Sequence, residues 1–489
     1  MNFPTQREWL YKAEQQFNDI VQGVRDHSQN QSRIDQVERN LFTCLLQLGL
    51  TLLKAFVAGA GMGDEGLQIT QGERTLKRSE QPHQRWYRSI FGKLPVIRWV
   101  YARGAKKRIE HVAVDAQLGL PRGEYSYVLE DWLEQLCVKE TFGEGVEGLA
   151  AVLGVEPSVE TAEELNQRMA EYTEPFRLSQ TPEPITAAEE ERLLVATADG
   201  TSVPMHRSDR TKKPDDRAEE NQRGSTRRAY VGAVYEIEPF VRDAQDVWNE
   251  VFREKAAERR PRPQEKRLWA EMASTGDSLI SGVGLVFVEL AIDVSARDPD
   301  RQATLVCLMD GERKLWDLQS EWLGRSVEVL DFYHAMSRVR QVGKVVHADD
   351  DGHRTTWVEA QGLDLLSGRI ETVIRRWSRL LREAERNETW TSNQQEVVRS
   401  AITYYRNNRH RMHYDEYLSS GYPIGSGIAE GACRNLVKDR MDCTGMHWRL
   451  PGSRAMLKTR ALYLNGEWAE FIEFRIRAEQ QELYYQNDA

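Results

Sequence analysis

Leu193-Leu-Val-Ala-Thr-Ala-Asp199-Gly200 is the stretch on which the fold turns. Its uncharged run, closed by a turn-forming Asp-Gly, reads as a short central strand buried on both faces. A second run has the same build: Thr304-Leu-Val-Cys-Leu-Met-Asp310-Gly311. Taken singly, either aspartate reads as a turn residue. Taken together, they place two carboxylates at strand ends, with Gly200 and Gly311 allowing tight turns beside them. A third acid comes from Gly421-Tyr-Pro-Ile-Gly-Ser-Gly-Ile-Ala-Glu430-Gly-Ala-Cys-Arg434. There turn formers lead into a helix, and Glu430 lies about one turn inside it.

Three carboxylates on rigid elements suit hard divalent cations, which take oxygen ligands. Two such ions ~3.5–4 Å apart can clamp both sides of an in-line displacement at phosphorus. The expected centre is therefore Asp199, Asp310 and Glu430 holding two magnesium or manganese ions.

Around these runs the fold class expected is mixed α/β. Ala229–Ile237 and Val327-Glu-Val-Leu-Asp331 read as further strands, and 242–258, 264–274, Val283–Val294 and Phe332–Gln341 as helices. Residues 357–410 read as helical and basic, and 453–485 as two helices. Upstream, residues 1–70 read as helical, with Leu41–Ala60 as a buried helix. Residues 127–176 are also expected to be helical, and Glu174–Pro184 reads as a linker. The resulting domains are a mainly helical N-terminal region at 1–185, a core at 186–345 and 416–489, and a helical insertion at 346–415.

Residues 74–108 carry Arg85, Arg88, Lys93, Arg98, Arg103, Lys106, Lys107 and Arg108 among interleaved aromatics, against the single acid Glu80. Alternation over Ile97–Arg103 places a hairpin here. The segment is either a DNA-backbone contact surface or a solvated basic face over a small aromatic core. Arg434 and Lys438 follow Glu430 by four and eight positions, as phosphate contacts or as a salt-bridged stripe.

The bulk numbers set limits. A chain of 489 residues with 40% hydrophobic and 29% charged content has the composition of a globular protein. The net charge of −10 argues against nucleic acid only on average, because local patches decide binding. Five scattered cysteines, without a CxxC, point to a reducing cytoplasm. No signal peptide and no membrane span are expected.

Six motifs in order carry a resemblance. They are Asp199-Gly-Thr-Ser-Val-Pro-Met205; Leu308-Met-Asp-Gly-Glu312 with Leu315-Trp316; Leu330-Asp-Phe-Tyr-His334; Tyr422-Pro-Ile-Gly-Ser-Gly427 with Glu430; Arg440-Met-Asp-Cys-Thr-Gly-Met446 with Trp448; and Asn465-Gly-Glu-Trp468. The set resembles the bacterial insertion-sequence DDE transposases of the Kra group, over roughly 190–470. The resemblance implies a ribonuclease-H-like catalytic core of three antiparallel strands, a helix, two further strands and late helices. It implies catalytic and metal-holding roles for Asp199, Asp310 and Glu430, and an accessory role for Asp331 and His334. Asp331 also ends a strand, so it competes with Asp310 for the second position. The implied partners are double-stranded DNA, both terminal repeats and target, and a homodimer or higher assembly. The implied location is the bacterial cytoplasm, at the nucleoid. Two other classes stay open: a catalytically silent DNA-binding protein derived from a transposase, and an ATP-using enzyme of the actin and sugar-kinase type.

Overall fold

The computed structural model describes residues 4–71, 74–104, 107–180, 182, 184–185, 192–209, 226–252, 260–273 and 282–485. Two compact units divide the chain. One comprises Met1–Tyr172 with Trp468–Ala489, the other Thr173–Glu467. The helix Trp468–Gln480 thus groups with the N-terminal unit, whereas the sequence reading kept it with the core.

The N-terminal unit begins with a helical hairpin, α1 (Gln6–Gln29) and α2 (Ile34–Gly59). Thr5 and Glu8 close a capping box at the start of α1. The expectation of a buried second helix is corrected: only Thr51 and Ala55 of α2 are buried, while Phe42, Leu45, Leu52 and Phe56 are exposed. Among the described residues, α2 alone is long and apolar enough to cross a membrane by length and composition. After the hairpin come β1 (Gln68–Gln71), β2 (Arg74–Arg78), β3 (His83–Ser89), β4 (Gly92–Arg98) and β5 (Tyr101–Ala102). The β-hairpin is β3–β4, turning at Ser89 and Gly92, upstream of its expected position. Its partner strand ends at Arg98 because the Trp99 backbone N–H turns away to the Met62 carbonyl. α3 (Ala113–Gln117) leads to α4 (Tyr127–Cys137), α5 (Phe142–Leu153) and α6 (Val159–Ala170). Side chains of Ser126, Thr141 and Ser158 cap the last three.

The second unit starts with α7 (Thr173–Ser179), so part of the expected linker is helical. Its sheet contains β6 (Leu193–Pro204), β7 (Thr226–Ile237), β8 (Gln264–Met272), β9 (Thr304–Met309) and β10 (Val327–Leu330), in the order β10-β9-β6-β7-β8. β6–β7 and β7–β8 pair antiparallel, and β6–β9 and β9–β10 pair parallel. The helix expected over 264–274 is instead β8. Helix formers there are overruled because pairing with β7 buries Leu268, Trp269, Ala270 and Met272. The two runs that opened the reading are neighbours, β6 and β9. β6 does not stop at Asp199 as expected but runs on to Pro204, because β7 keeps pairing with it.

Along β6 the pleat sorts side chains by period two. Leu193 and Val195 enter one core; Leu194, Ala196 and Ala198 enter the other. The second of these cores is closed by α9 (Gly282–Arg297) and α10 (Arg313–Trp322). The first is closed by α8 (Ala244–Phe252), α11 (Phe332–Val346), α12 (Asp351–Leu366), α13 (Ile370–Asn387), α14 (Ser392–Asn408) and α15 (Tyr414–Ser419). The segment expected as an insertion therefore shares its core with the sheet. Trp377 of α13 stacks on Tyr405 of α14 with ring centroids 4.9 Å apart, and Tyr405 donates its hydroxyl to the Ala335 carbonyl. α16 (Gly427–Ala432) follows, loosens into a π-helical stretch at Cys433–Lys438, and ends as α17 (Asp439–Met441). α18 (Leu450–Leu464) completes this unit.

Candidate active site

The parallel register puts three aspartates at one level. Ala198 pairs with Met309, and Met309 with Leu330; the next residues are Asp199, Asp310 and Asp331. Paired strands lie about 4.8 Å apart, so these are neighbouring carboxylates at one end of the parallel strands.

Their surroundings separate them. Asp331 is fully buried. One of its oxygens accepts the His334 backbone N–H at 2.7 Å and so caps α11. The other accepts the Ser426 N–H at 2.5 Å. Asp331 is thus the clip that fastens the Gly421 stretch beside β10, helped by the Phe332 N–H donating to the Ile424 carbonyl. Gly425 permits this approach, because a Cβ there would lie 2.6 Å from the Tyr333 ring.

Asp310 is differently held. One oxygen accepts the Glu312 backbone N–H at 2.9 Å; the other faces the His334 ring at 3.8 Å. Burial holds its carboxyl above the usual carboxylate range. The Asp199 carboxylate pushes the same way, against the pull of the Glu312 N–H, His334 and the Arg228 guanidinium. Asp199 accepts its own Gly200 N–H at 2.6 Å and the Cys433 thiol at 3.6 Å. Burial, then the Asp199 charge, drives the Cys433 thiol well up, so it stays a donor. Glu430 is about half exposed, and its carboxylate reaches the other His334 nitrogen at 3.9 Å. Burial raises its pKa, with Asp331 and Asp199 adding to the effect and His334 opposing it.

His334 therefore lies between Asp310 and Glu430. Among the described residues, one group offers three ligand atoms within 4.8 Å of one another: Asp331, His334 and Glu430. The expected trio of Asp199, Asp310 and Glu430 surrounds the same space without meeting that spacing. No lysine or arginine lies within ion-pair distance of these three carboxylates among the described residues. Burial and neighbouring carboxylates raise Asp310 and Glu430, opposed by His334 and, at Asp310, by Arg228; clustered carboxylate oxygens are the donor type that magnesium or manganese takes.

Both glycines beside the acids allow close approach; Gly200 lies within β6 rather than in a turn, whereas Gly311 sits at the bend after β9. A Cβ at Gly200 would collide with the Arg228 guanidinium, and one at Gly311 with the Tyr404 ring. Arg228 pairs with Glu312 at 2.7 Å. Burial, then Asp310, raises the Tyr404 phenol. Sequence gives no site signal for Tyr404 or Arg228, and reads Cys433, near Glu430, as structural. Cys433 follows Glu430 by three positions, and that spacing was the one signal available.

The basic residues divide. Arg85 and Arg98 both pair with Asp115 and are only 14% exposed; Arg85 also donates to the Pro121 and Gly123 carbonyls. Burial, then Arg85, lowers Arg98 to about 10. Both are engaged inside the unit. Arg88 pairs with Glu124, Arg103 with Glu110, and Lys93 lies 4.1 Å over the Trp86 ring. Lys107 and Arg108 are exposed, and Lys106 lies outside the described residues. Arg434 and Lys438 are exposed on the helix that carries Glu430, with Asp439 3.9 Å from Arg434. Trp448 is buried and donates to the Met441 carbonyl. No protein-family model matches the chain, and comparison with curated proteins returns no match.

Proposed function

We propose that this chain is a metal-dependent DDE transposase that binds the terminal repeats of its own element, cleaves DNA there and transfers the strand to a target. One observation carries the reading. Asp199 and Asp310 stand side by side on paired parallel strands, and Glu430 reaches the same space, sharing His334 with Asp310. Three antiparallel strands, a helix and two parallel strands support a ribonuclease-H-like reading of the core.

In this reading Asp199, Asp310 and Glu430 hold two magnesium or manganese ions, with His334 beside them. When bound, such ions supply Lewis-acid activation of the attacking oxygen and neutralise charge at phosphorus. Asp199 and Asp310 have fixed positions because the sheet fixes them. Glu430 stands on a helix fastened to β10 through Asp331, and its exposed side chain can turn toward either aspartate. His334 is placed to give or take a proton at a reacting oxygen. Lys93, Lys107, Arg108, Arg434 and Lys438 are the exposed cations of the sequence reading that remain available to phosphates.

A strand-joining assay tests this function. Duplexes carrying the DNA that flanks the gene are incubated with a circular target and magnesium. The expected product is the element's 3′ end covalently joined to the target. Binding without cleavage points to the silent DNA-binding class. ATP binding with no DNA product points to the kinase-like class and overturns the proposal.

A further inference from the structure

α13 is amphipathic to an unusual degree. Ile370, Val373, Ile374, Trp377, Leu381 and Ala384 are buried, and the opposite face carries Arg375, Arg379 and Arg382, all exposed. With Arg406 of α14 and Arg409 just beyond its end, these line a groove between the two helices. Like charges at such spacing repel each other along a helix, and here they gather on a chain of net charge −10.

Compensation in the groove is loose. Arg379 meets Glu383 at 3.8 Å and Arg409 meets Glu371 at 3.6 Å, all of them well exposed. Arg376, which also lines the groove, is paired with Asp364 at 2.8 Å, and just outside it Arg399 is paired with Glu385 at 2.8 Å. Among the described residues, Arg375 and Arg406 touch only the hydroxyls of Thr372 and Ser378, at 3.3 Å. Guanidinium groups beside hydroxyls are the donor chemistry that phosphate oxygens accept.

We infer that the α13–α14 groove is a sequence-independent clamp for the phosphodiester backbone of duplex DNA. Arg375 to Arg382 spans seven residues, about 10 Å of helix axis; lying parallel to the duplex axis, along which each strand carries one phosphate per ~3.4 Å, that length faces about three phosphates of one strand. Among the described residues no aromatic ring lines the groove. Single strands need stacking platforms, so the duplex is favoured. No neutral amide, the usual reader of adenine edges, lines it either, so base reading is not expected.

This inference rests on the DNA reading above, and the two can fail separately. The test is fluorescence polarisation of the full chain with a short duplex of arbitrary sequence, without divalent ions, over a salt series. The triple variant Arg375→Gln, Arg379→Gln, Arg382→Gln is compared with the triple Arg→Lys variant and the wild type. The Gln triple is expected to weaken binding and to reduce the slope of log K against log salt by about 2 to 3, near 0.9 per lost phosphate contact. The Lys triple keeps the slope. An unchanged slope in a Gln triple that melts like wild type overturns the clamp. Tighter arginine-dependent binding of a single strand or of duplex RNA overturns it too, as does displacement of the duplex by millimolar inorganic phosphate. Loss of strand joining with the groove slope intact would overturn the transposase reading alone.

Discussion

Asp199 and Asp310 stand at one level of two paired parallel strands, one residue beyond the pair Ala198–Met309. Neither carboxylate has a lysine or arginine within ion-pair distance among the described residues, and burial raises Asp310. An acid raised in the folded state binds more protons there than in the unfolded chain. Metal-free stability therefore falls as pH rises from the unfolded carboxylate value to the raised one, and stays low above it. Asp310→Asn removes that penalty. Thermal melts in chelator at neutral pH should place the variant above wild type, by about 2–4 °C for each kcal/mol relieved. The difference should vanish in acid. Added magnesium should raise wild type and leave the variant unmoved. A variant that melts lower in chelator and still responds to magnesium would contradict this account.

Asp331 should behave as a structural residue. Asp331→Ala leaves the buried Ser426 N–H and the part-buried His334 N–H without their acceptor. The loss of a cap and of a buried acceptor amounts to about 2–4 kcal/mol, read as a fall in denaturant midpoint. If Asp331→Ala keeps wild-type stability while binding no metal, Asp331 belongs among the ligands and Asp310 loses its place.

The contact between Gly311 and Tyr404 predicts a rescue. Gly311→Ala drives a methyl group into the Tyr404 ring and should lower stability by about 1–3 kcal/mol. Gly311→Ala with Tyr404→Leu should recover most of it relative to Tyr404→Leu alone, because the two residues touch. Purely additive losses would show that Gly311 is required for another reason.

In the N-terminal unit, Asp115 is the shared ion-pair partner of Arg85 and Arg98. Asp115→Asn leaves two guanidinium groups buried without a counter-charge and should cost about 3–5 kcal/mol. Lys93→Gln on the surface should change stability by less than about 0.5 kcal/mol. Chemical denaturation of both variants measures the contrast. Equal, small effects would return Arg85 and Arg98 to the candidate DNA surface.

The central runs were legible because burial on both faces leaves an uncharged signature, and the Asp-Gly boundary of Thr304–Met309 fell where β9 ends. Glu430 was legible for a similar reason, since turn residues mark where a helix begins. β8 was not, because Gln-Glu-Lys-Arg-Leu-Trp-Ala-Glu-Met is made of helix formers and only pairing with β7 makes it a strand. Nor could sequence divide Asp310 from Asp331. Both follow strands, and what separates them is a backbone N–H from Ser426, 95 positions away from Asp331. Arg85 and Arg98 read as surface cations because their shared partner, Asp115, lies outside the basic segment.

The most direct measurement is single-turnover nicking of an element-end duplex in magnesium by wild type and by Asp199→Asn, Asp310→Asn, Glu430→Gln and Asp331→Asn. The first three should lose at least about 10³-fold in rate, roughly 4 kcal/mol of barrier, with folding intact. Asp331→Asn should lose activity only in step with its stability. Nicking at the wild-type rate by the Asp199, Asp310 and Glu430 variants would contradict the account.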